Sequence, residues 1–170
     1  MSTLVLAGRA RVLGDDVNTD YLISSSRKKE SLDPQVLRRY LLEDVDPGFA
    51  ASVVEGDILV AGSNFGCGSA MEVAVTVVLG AGIRAVIAKS FSRTYWRNAI
   101  NNGLLAIVAD TSGIVEGQRL ELHLAGAQPQ LRVTGEPARS VLCDPLPPFM
   151  LAMREAGGLV PYLRRHRTLA

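Results

Sequence analysis

The chain has 170 residues, the size of one domain, with 18 basic against 17 acidic side chains and a formal charge of +1. That balance gives no field to draw it toward nucleic acid or anionic lipid, and 48% hydrophobic with 21% charged residues argues against disorder. The longest apolar runs, such as Ile58–Val60 and Val73–Leu79, are too short to span a bilayer, and Arg9 and Arg11 break the N-terminal apolar stretch before it reads as a secretory leader. The expectation is a soluble, cytoplasmic protein with no nucleic-acid or membrane partner.

Leu4–Leu13 is apolar-rich and ends at the turn signal Gly14-Asp15-Asp16, so it reads as a first strand. Tyr21–Ile23 is expected as a short strand and Ser24–Glu30 as a polar loop. Asp33-Pro34 has the form of an N-cap with proline at the first helical position, and predicts a helix to about Glu43 with Val36, Leu37, Tyr40 and Leu41 on one face. After a loop at Asp46-Pro47-Gly48, Asp57–Ala61 reads as a buried strand, Glu72–Leu79 as a helix, Ala85–Ala88 as a strand, Phe91–Asn101 as a helix and Leu104–Val108 as a strand. Strands alternating with helices imply parallel pairing through crossovers. Beyond Glu116 the period changes to two, so Arg119–Leu124 and Gln130–Thr134 predict an antiparallel pair joined through Ala125-Gly126. Pro147-Pro148 opens a last helix, Phe149–Ala156, stopped by Gly157-Gly158. The expected fold is α/β: a mixed sheet with crossover helices and a late β-hairpin, one domain over 1–170, with the C-terminal helix and tail at about 147–170.

Cys67 and Cys143 are the only cysteines. Two thiols fall short of the four ligands that iron–sulfur clusters usually take, and His123 and His166 have no metal-ligand spacing to either. Neither a metal site nor a disulfide is expected in this chain.

The most informative stretch is Asn64-Phe65-Gly66-Cys67-Gly68-Ser69-Ala70-Met71-Glu72. Ser69 and Glu72 have the spacing of a capping box, and the glycines suit a tight strand-to-helix turn. The chemical reading uses the same geometry. A serine among free N–H groups at a helix N-terminus has its alkoxide stabilised, so it can act as a base on an acidified proton. His123 falls in the late hairpin, and no Ser-His-Asp arrangement is expected. Asp15–Asp20 reads as a self-bonded turn without the residue order of a calcium loop. Ser24–Lys29 is a solvated loop unless an anion site lies beside it, where its three cations would hold a carboxylate. Arg164–Arg167 reads as a solvated end.

Gly14–Asp20 with Tyr21-Leu22-Ile23, Gly56–Gly62, Asn64–Ser69, Gly82–Phe91, Arg97–Asn101 with Gly103-Leu104, Pro145–Met150 and Gly157–Val160 resemble the small-subunit family of 3-isopropylmalate dehydratase, which is similar to the swivel domain of aconitase. The blocks run in order from about Gly8 to Tyr162. The resemblance implies a swivelling β/β/α fold and a hydro-lyase that removes water from a small hydroxy dicarboxylic acid and adds it back with hydroxyl and hydrogen exchanged. It implies a partner too, a large subunit carrying a [4Fe–4S] cluster, with no cofactor in this chain. On that resemblance Ser69 is the base, and Asn64, Gly66, Cys67 and Gly68 shape a backbone anion pocket. Thr19 and Asp20 orient the neighbouring loop, and Arg27 with Lys28 contacts the distal group of the substrate, foremost 3-isopropylmalate in leucine biosynthesis.

Ala70 and Met71 depart from the family motif Gly-Ser-Ser-Arg-Glu, whose arginine binds a carboxylate, and Ser92 stands where alanine is commoner. Losing one charged contact ordinarily costs about 1.5–3 kcal/mol in binding. The loop Ser24–Lys29 is also more basic than an isopropyl group would favour. Two alternatives stay open: a related dehydratase for citramalate, homoaconitate or a specialised metabolite, and a non-catalytic interaction subunit. Self-association of the isolated chain through apolar surface meant for its partner is left open as well.

Overall fold

The computed structural model describes residues 4–126 and 128–167. Along the chain the elements are β1 (Val5–Val12), α1 (Thr19–Leu22), α2 (Pro34–Leu37), α3 (Phe49–Ser52), β2 (Ile58–Ala61), α4 (Val73–Gly80), β3 (Ala85–Ala88), α5 (Arg93–Asn101), β4 (Leu105–Val108), β5 (Arg119–His123), β6 (Gln130–Val133), β7 (Arg139–Leu142), α6 (Pro148–Ala156) and α7 (Leu159–His166). The seven strands make one mixed sheet in the order β4-β3-β2-β1-β5-β6-β7. β1 to β4 are parallel, with Ala10 opposite Ile58, Ile58 opposite Ala85 and Ala85 opposite Leu105. β5, β6 and β7 continue antiparallel from the other side of β1, with Gly8 opposite Leu120 and Leu120 opposite Val133.

Helices cover both faces of the parallel strands, which is why β2 and β3 are apolar throughout. Leu59, Ala61, Val86 and Ala88 face a core closed by Leu22, Leu37, Val77 and Val78 from α1, α2 and α4. Ile58, Val60, Ala85 and Ile87 alternate to the other side, where the curled sheet brings in Leu120, Leu122 and Leu131 and α6 adds Met150 and Met153. α5 divides its apolar side chains, sending Tyr95 and Ala99 to the first core and Ile100 to the second.

Ahead of β2, the buried Asp57 carboxylate accepts from Arg9 Nε at 3.0 Å and Nη2 at 2.8 Å, from Arg11 Nη1 at 3.3 Å and from the Val54 N–H at 2.9 Å. Burial alone would raise its pKa, but these donors hold it below the ordinary carboxylate range. Arg11 also lies 4.3 Å over the Phe49 ring of α3.

Several elements differ from the sequence expectation. Tyr21–Ile23 is not a strand, because Asn18 caps a helical turn, α1, by accepting the Asp20 N–H at 2.9 Å. The polar stretch after it holds a 3₁₀ turn over Ser25–Lys29. The helix expected to Glu43 ends α2 at Leu37 and tightens to 3₁₀ over Arg38–Tyr40. It stops because Leu42 turns left-handed, φ 58°, and gives its N–H to the Leu22 carbonyl at 3.0 Å. The basic end Arg164–Arg167 is exposed, as a solvated end should be, but its first three residues belong to α7, where Tyr162 packs on His166 with ring centroids 4.4 Å apart. Residues 168–170 of the expected tail lie outside the described residues. Among the described residues no helix is long and apolar enough to cross a membrane.

Candidate active site

In a parallel sheet the loops at the carboxyl ends of the strands gather where ligands bind. Here the loops after β1, β2 and β3 interlock. Asp15 accepts the Ser63 N–H at 2.7 Å, Asp16 Oδ1 accepts from Asn64 Nδ2 at 2.9 Å, and the Asp16 N–H donates to the Ser63 carbonyl at 2.8 Å. The aspartates therefore bind the neighbouring loop, and only Asn18 with Asp20 is self-bonded. Asn64 is left-handed at φ 60°, a conformation asparagine tolerates, and its N–H donates to Ser90 Oγ at 2.7 Å.

Gly66 and Gly68 are also left-handed, at φ 80° and 95°. A Cβ on Gly66 would lie 2.2 Å from Tyr95 Cγ, and one on Gly68 2.4 Å from Asn18 Oδ1, so close approach as well as dihedral requires glycine. Phe65 is buried edge-to-face between Phe91 and Tyr95, with centroids 5.8 and 5.1 Å away. Ser92 joins loop to helix: its hydroxyl donates to the Gly66 carbonyl at 2.7 Å and accepts the Tyr95 N–H at 3.3 Å, capping α5. The buried Tyr95 hydroxyl, its pKa pushed far up by desolvation, donates to the Ala74 carbonyl of α4 at 3.0 Å.

Ser69 sits on this frame. Thr19 is buried, and it donates its N–H to the Cys67 carbonyl and its hydroxyl to the Ser69 carbonyl, both at 2.8 Å. The carbonyl side of the loop is thus held while the N–H side is unclaimed. Among the described residues, none of the N–H groups of Cys67, Gly68, Ser69, Ala70 and Met71 donates a hydrogen bond. Ser69 is exposed, and its hydroxyl has no partner among the described residues.

The capping box does not form. α4 starts at Val73 with Glu72 in the cap position and no side-chain cap, so Ser69 lies three residues ahead of the cap. A bridge between Asn18 and Cys67, together with the Thr19 bonds, aligns this segment with the β1 loop and keeps it from coiling into the helix. Ser69 is therefore flanked along the chain by loop N–H groups that have no acceptor among the described residues, a chemistry suited to an anion.

Ser69 shares a narrow crevice with Thr19, Met71, Thr94, Tyr95 and Asn98. Met71 is 3% exposed and packs in the first core, so its position takes an apolar side chain. Thr94 and Asn98 were missed by sequence reasoning. Their signal is a polar pair one turn apart on a helix that directly follows a rim loop. Asp20 is exposed in the first turn of α1.

Arg27 and Lys28 lie in the turn Ser25–Lys29 and differ in their surroundings. Arg27 is ion-paired with Glu43 and Glu30, whereas Lys28 and Lys29 are exposed with no carboxylate partner among the described residues. Nor do the donors of this chain fit an iron–sulfur cluster. Cys143 is buried, which pushes its thiol up to about 11, Cys67 stands on the rim, and no group of three His, Cys, Asp or Glu suited to a metal occurs among the described residues.

This curled mixed sheet, with helices on both faces of its parallel strands, is the fold of an aconitase C-terminal, or swivel, domain. The family model of that description matches residues 43–112, the stretch holding β2, the Ser69 loop, α4, β3, α5 and β4. The chain is 42% identical to the 3-isopropylmalate dehydratase small subunit 1 of Methanopyrus kandleri, over 95% of this chain and 94% of that one. It is 39% identical to the methanogen homoaconitase small subunit of Methanocaldococcus jannaschii, over 98% of this chain and 95% of the relative. The crystal structure of 3-isopropylmalate dehydratase (LeuD) from Methanocaldococcus jannaschii aligns with a TM-score of 0.88 at 39% identity, covering 96% of each chain. The chain belongs to the family of 3-isopropylmalate dehydratase small subunits.

Proposed function

We propose that this chain, acting as one swivelling unit over 1–170, is the small subunit of a hydro-lyase that converts 2-isopropylmalate to 3-isopropylmalate in leucine biosynthesis, together with a large subunit carrying a [4Fe–4S] cluster. One observation carries the proposal: an exposed Ser69 hydroxyl beside five unclaimed N–H groups, on a loop fastened by its neighbours. The naming of its relatives as small subunits supports the split into two chains.

A hydroxy acid loses water when a proton next to a carboxylate is removed as hydroxide leaves. The cluster, when bound in the partner, supplies the Lewis acid. This chain supplies the proton transfer. Ser69 Oγ takes the proton from one carbon and returns it to the neighbouring carbon that lost hydroxide, while hydroxide adds to the carbon that gave up the proton. The loop N–H groups stabilise its alkoxide, and docking of the large subunit over the rim excludes water. Asn64, Gly66, Cys67 and Gly68 give the loop its shape, and Thr19 and Asp20 hold its position from α1. Lys28 meets the distal group, with Arg27 behind it.

A second reading has a specific observation in its favour. Lys28 and Lys29 are exposed with no carboxylate partner among the described residues, which suits a polar or anionic distal group, and Met71, buried at the family's arginine position, suits a substrate changed at the carboxylate that arginine binds. Co-expression with a large subunit, followed by a screen of hydroxy acids for ultraviolet absorbance of the enoate, tests both readings. In that complex Ser69→Ala is expected to lower kcat by about 10²–10⁴-fold with assembly intact. Activity surviving within about threefold removes Ser69 as the base, since general-base catalysis is worth far more than that. An assembled complex with no turnover favours a non-catalytic subunit.

A further inference from the structure

The crevice beside Ser69 has a wall that the proton transfer does not use. Thr94 and Asn98 stand one turn apart on α5, so they share a face of that helix. Both line the crevice together with Ser69, Ala70 and Met71. Thr94 is exposed and Asn98 half-buried, and neither side chain has a hydrogen-bond partner among the described residues. The one sealed side-chain polar atom left unpaired there is Thr76 Oγ1, so the amide of Asn98 reaches open space. Two other polar groups of the crevice are already spent. The Thr19 hydroxyl holds the Ser69 carbonyl, and the Tyr95 hydroxyl holds the Ala74 carbonyl.

No residue lining the crevice carries a charge, yet its donors suit an anion. Thr94 lies in the first turn of the nine-residue α5, where its own N–H and that of Arg93 are unclaimed and the helix dipole is positive. The N–H groups of Ala70 and Met71 are unclaimed too. An asparagine amide adds two N–H donors and a threonine hydroxyl one, whereas a carboxylate only accepts. The wall is also preset. Ser92 caps α5 and fastens the Gly66 carbonyl, so helix and loop keep their spacing.

We propose that, on the reading of the rim as a hydroxy-acid site, Thr94 and Asn98 are substrate-binding residues that hold one carboxylate of the acid against α5 by uncharged hydrogen bonds. Such an anchor discriminates by hydrogen-bond direction. Asn98→Asp keeps the shape but accepts where the amide donates, so it disfavours a carboxylate and suits a carboxamide.

The test uses the complex reconstituted with a large subunit. Asn98→Leu is expected to raise KM about 10- to 100-fold with kcat within about twofold, the loss of hydrogen bonds to a charged group. Thr94→Val, of nearly the same shape, raises KM about three- to tenfold. Thermal midpoints of the two variant chains stay within about 2 °C of the wild type, because neither side chain has a partner to lose. In Asn98→Asp, inhibition by the diacid weakens about 100-fold, and one of its two monoamides becomes the stronger inhibitor, a reversal that a merely structural role does not produce. Unchanged KM in both the Leu and Val variants overturns the proposal, and so does a fall in kcat alone. An Asn98→Asp complex that still prefers the diacid to both monoamides overturns it as well. A wild-type complex that turns over no hydroxy acid overturns the reading of the rim, and the carboxylate contact with it; with an active wild type, the variants judge the contact alone.

Discussion

Replacing Asp57 with asparagine keeps the shape of the side chain and removes the charge on which two arginines converge. The carboxylate is 2% exposed, Arg11 is 6% exposed as a residue and the Arg9 side chain is 43% exposed. Breaking a buried pair by removing one partner costs about 3–5 kcal/mol, mostly through the charge left behind. Arg9 can rehydrate and Arg11 keeps Glu116 at 2.6 Å, so the low end, about 3 kcal/mol, is the appropriate figure. In a chain of this length that loss lowers the thermal midpoint by about 6–12 °C. The sign with pH follows from the direction of the shift. The folded carboxylate lies below its ordinary pKa of about 3.9, so its contribution is full above that value and is lost as the pH falls through the folded one. Urea unfolding of both proteins is expected to show a constant gap from about pH 5 to 8 that narrows under stronger acid. A gap under about 1 kcal/mol, as an exposed pair would give, refutes the argument. So does a gap that stays level far below the ordinary pKa, because uncharged packing would then be the cause. Glu55→Gln, which removes the exposed Arg84–Glu55 pair, is the control and should change little.

Two further outcomes bear on the rim. Met71→Arg restores the family's arginine at a position packed in the core and is expected to lose about 3 kcal/mol in urea, the cost of an unpaired buried charge; unchanged stability with tighter substrate binding would show that the side chain reaches the rim instead. In Ellman titration of the folded chain at pH 8, Cys67 is expected to react promptly. Cys143, with a thiol at about 11 and therefore about one part in a thousand thiolate, should react only as the protein unfolds, and two fast thiols would contradict its burial.

Much of the parallel sheet was legible because its signal is local. Ile58–Ala61 is a short apolar run between Gly56 and Gly62, Ala85–Ala88 is another that follows Gly82, and the stretch Arg93–Asn101 has a helical face. The same holds for β5 and β6, where Leu120, Leu122, Leu131 and Val133 alternate with polar residues. Elements fixed by distant partners were not. α3 is a four-residue turn whose buried Phe49 lies under the guanidinium of Arg11, 38 positions away. β7 has no buried residue and exists through its ladder to β6. The helix after Pro34 looked longer than it is because the bond from Leu42 to the Leu22 carbonyl is invisible to periodicity. In α1, the Asn18 cap won over the strand preference of Tyr21 and Ile23.

The site divides along the same line. Gly66 and Gly68 announce a left-handed turn, but what they approach, Tyr95 and Asn18, lies on other segments. The Ser69–Glu72 spacing satisfied a local rule, and Thr19 overrode it from 50 positions away. Ser92 looked like a minor change from alanine, yet its hydroxyl fastens the Gly66 carbonyl to the cap of α5. Arg27, Lys28 and Lys29 are three adjacent cations that composition treats alike. Glu43, 16 residues on, removes one of them from the available charge and leaves two. A basic run therefore reports how much charge a loop carries, whereas its partners decide which part of that charge faces a ligand.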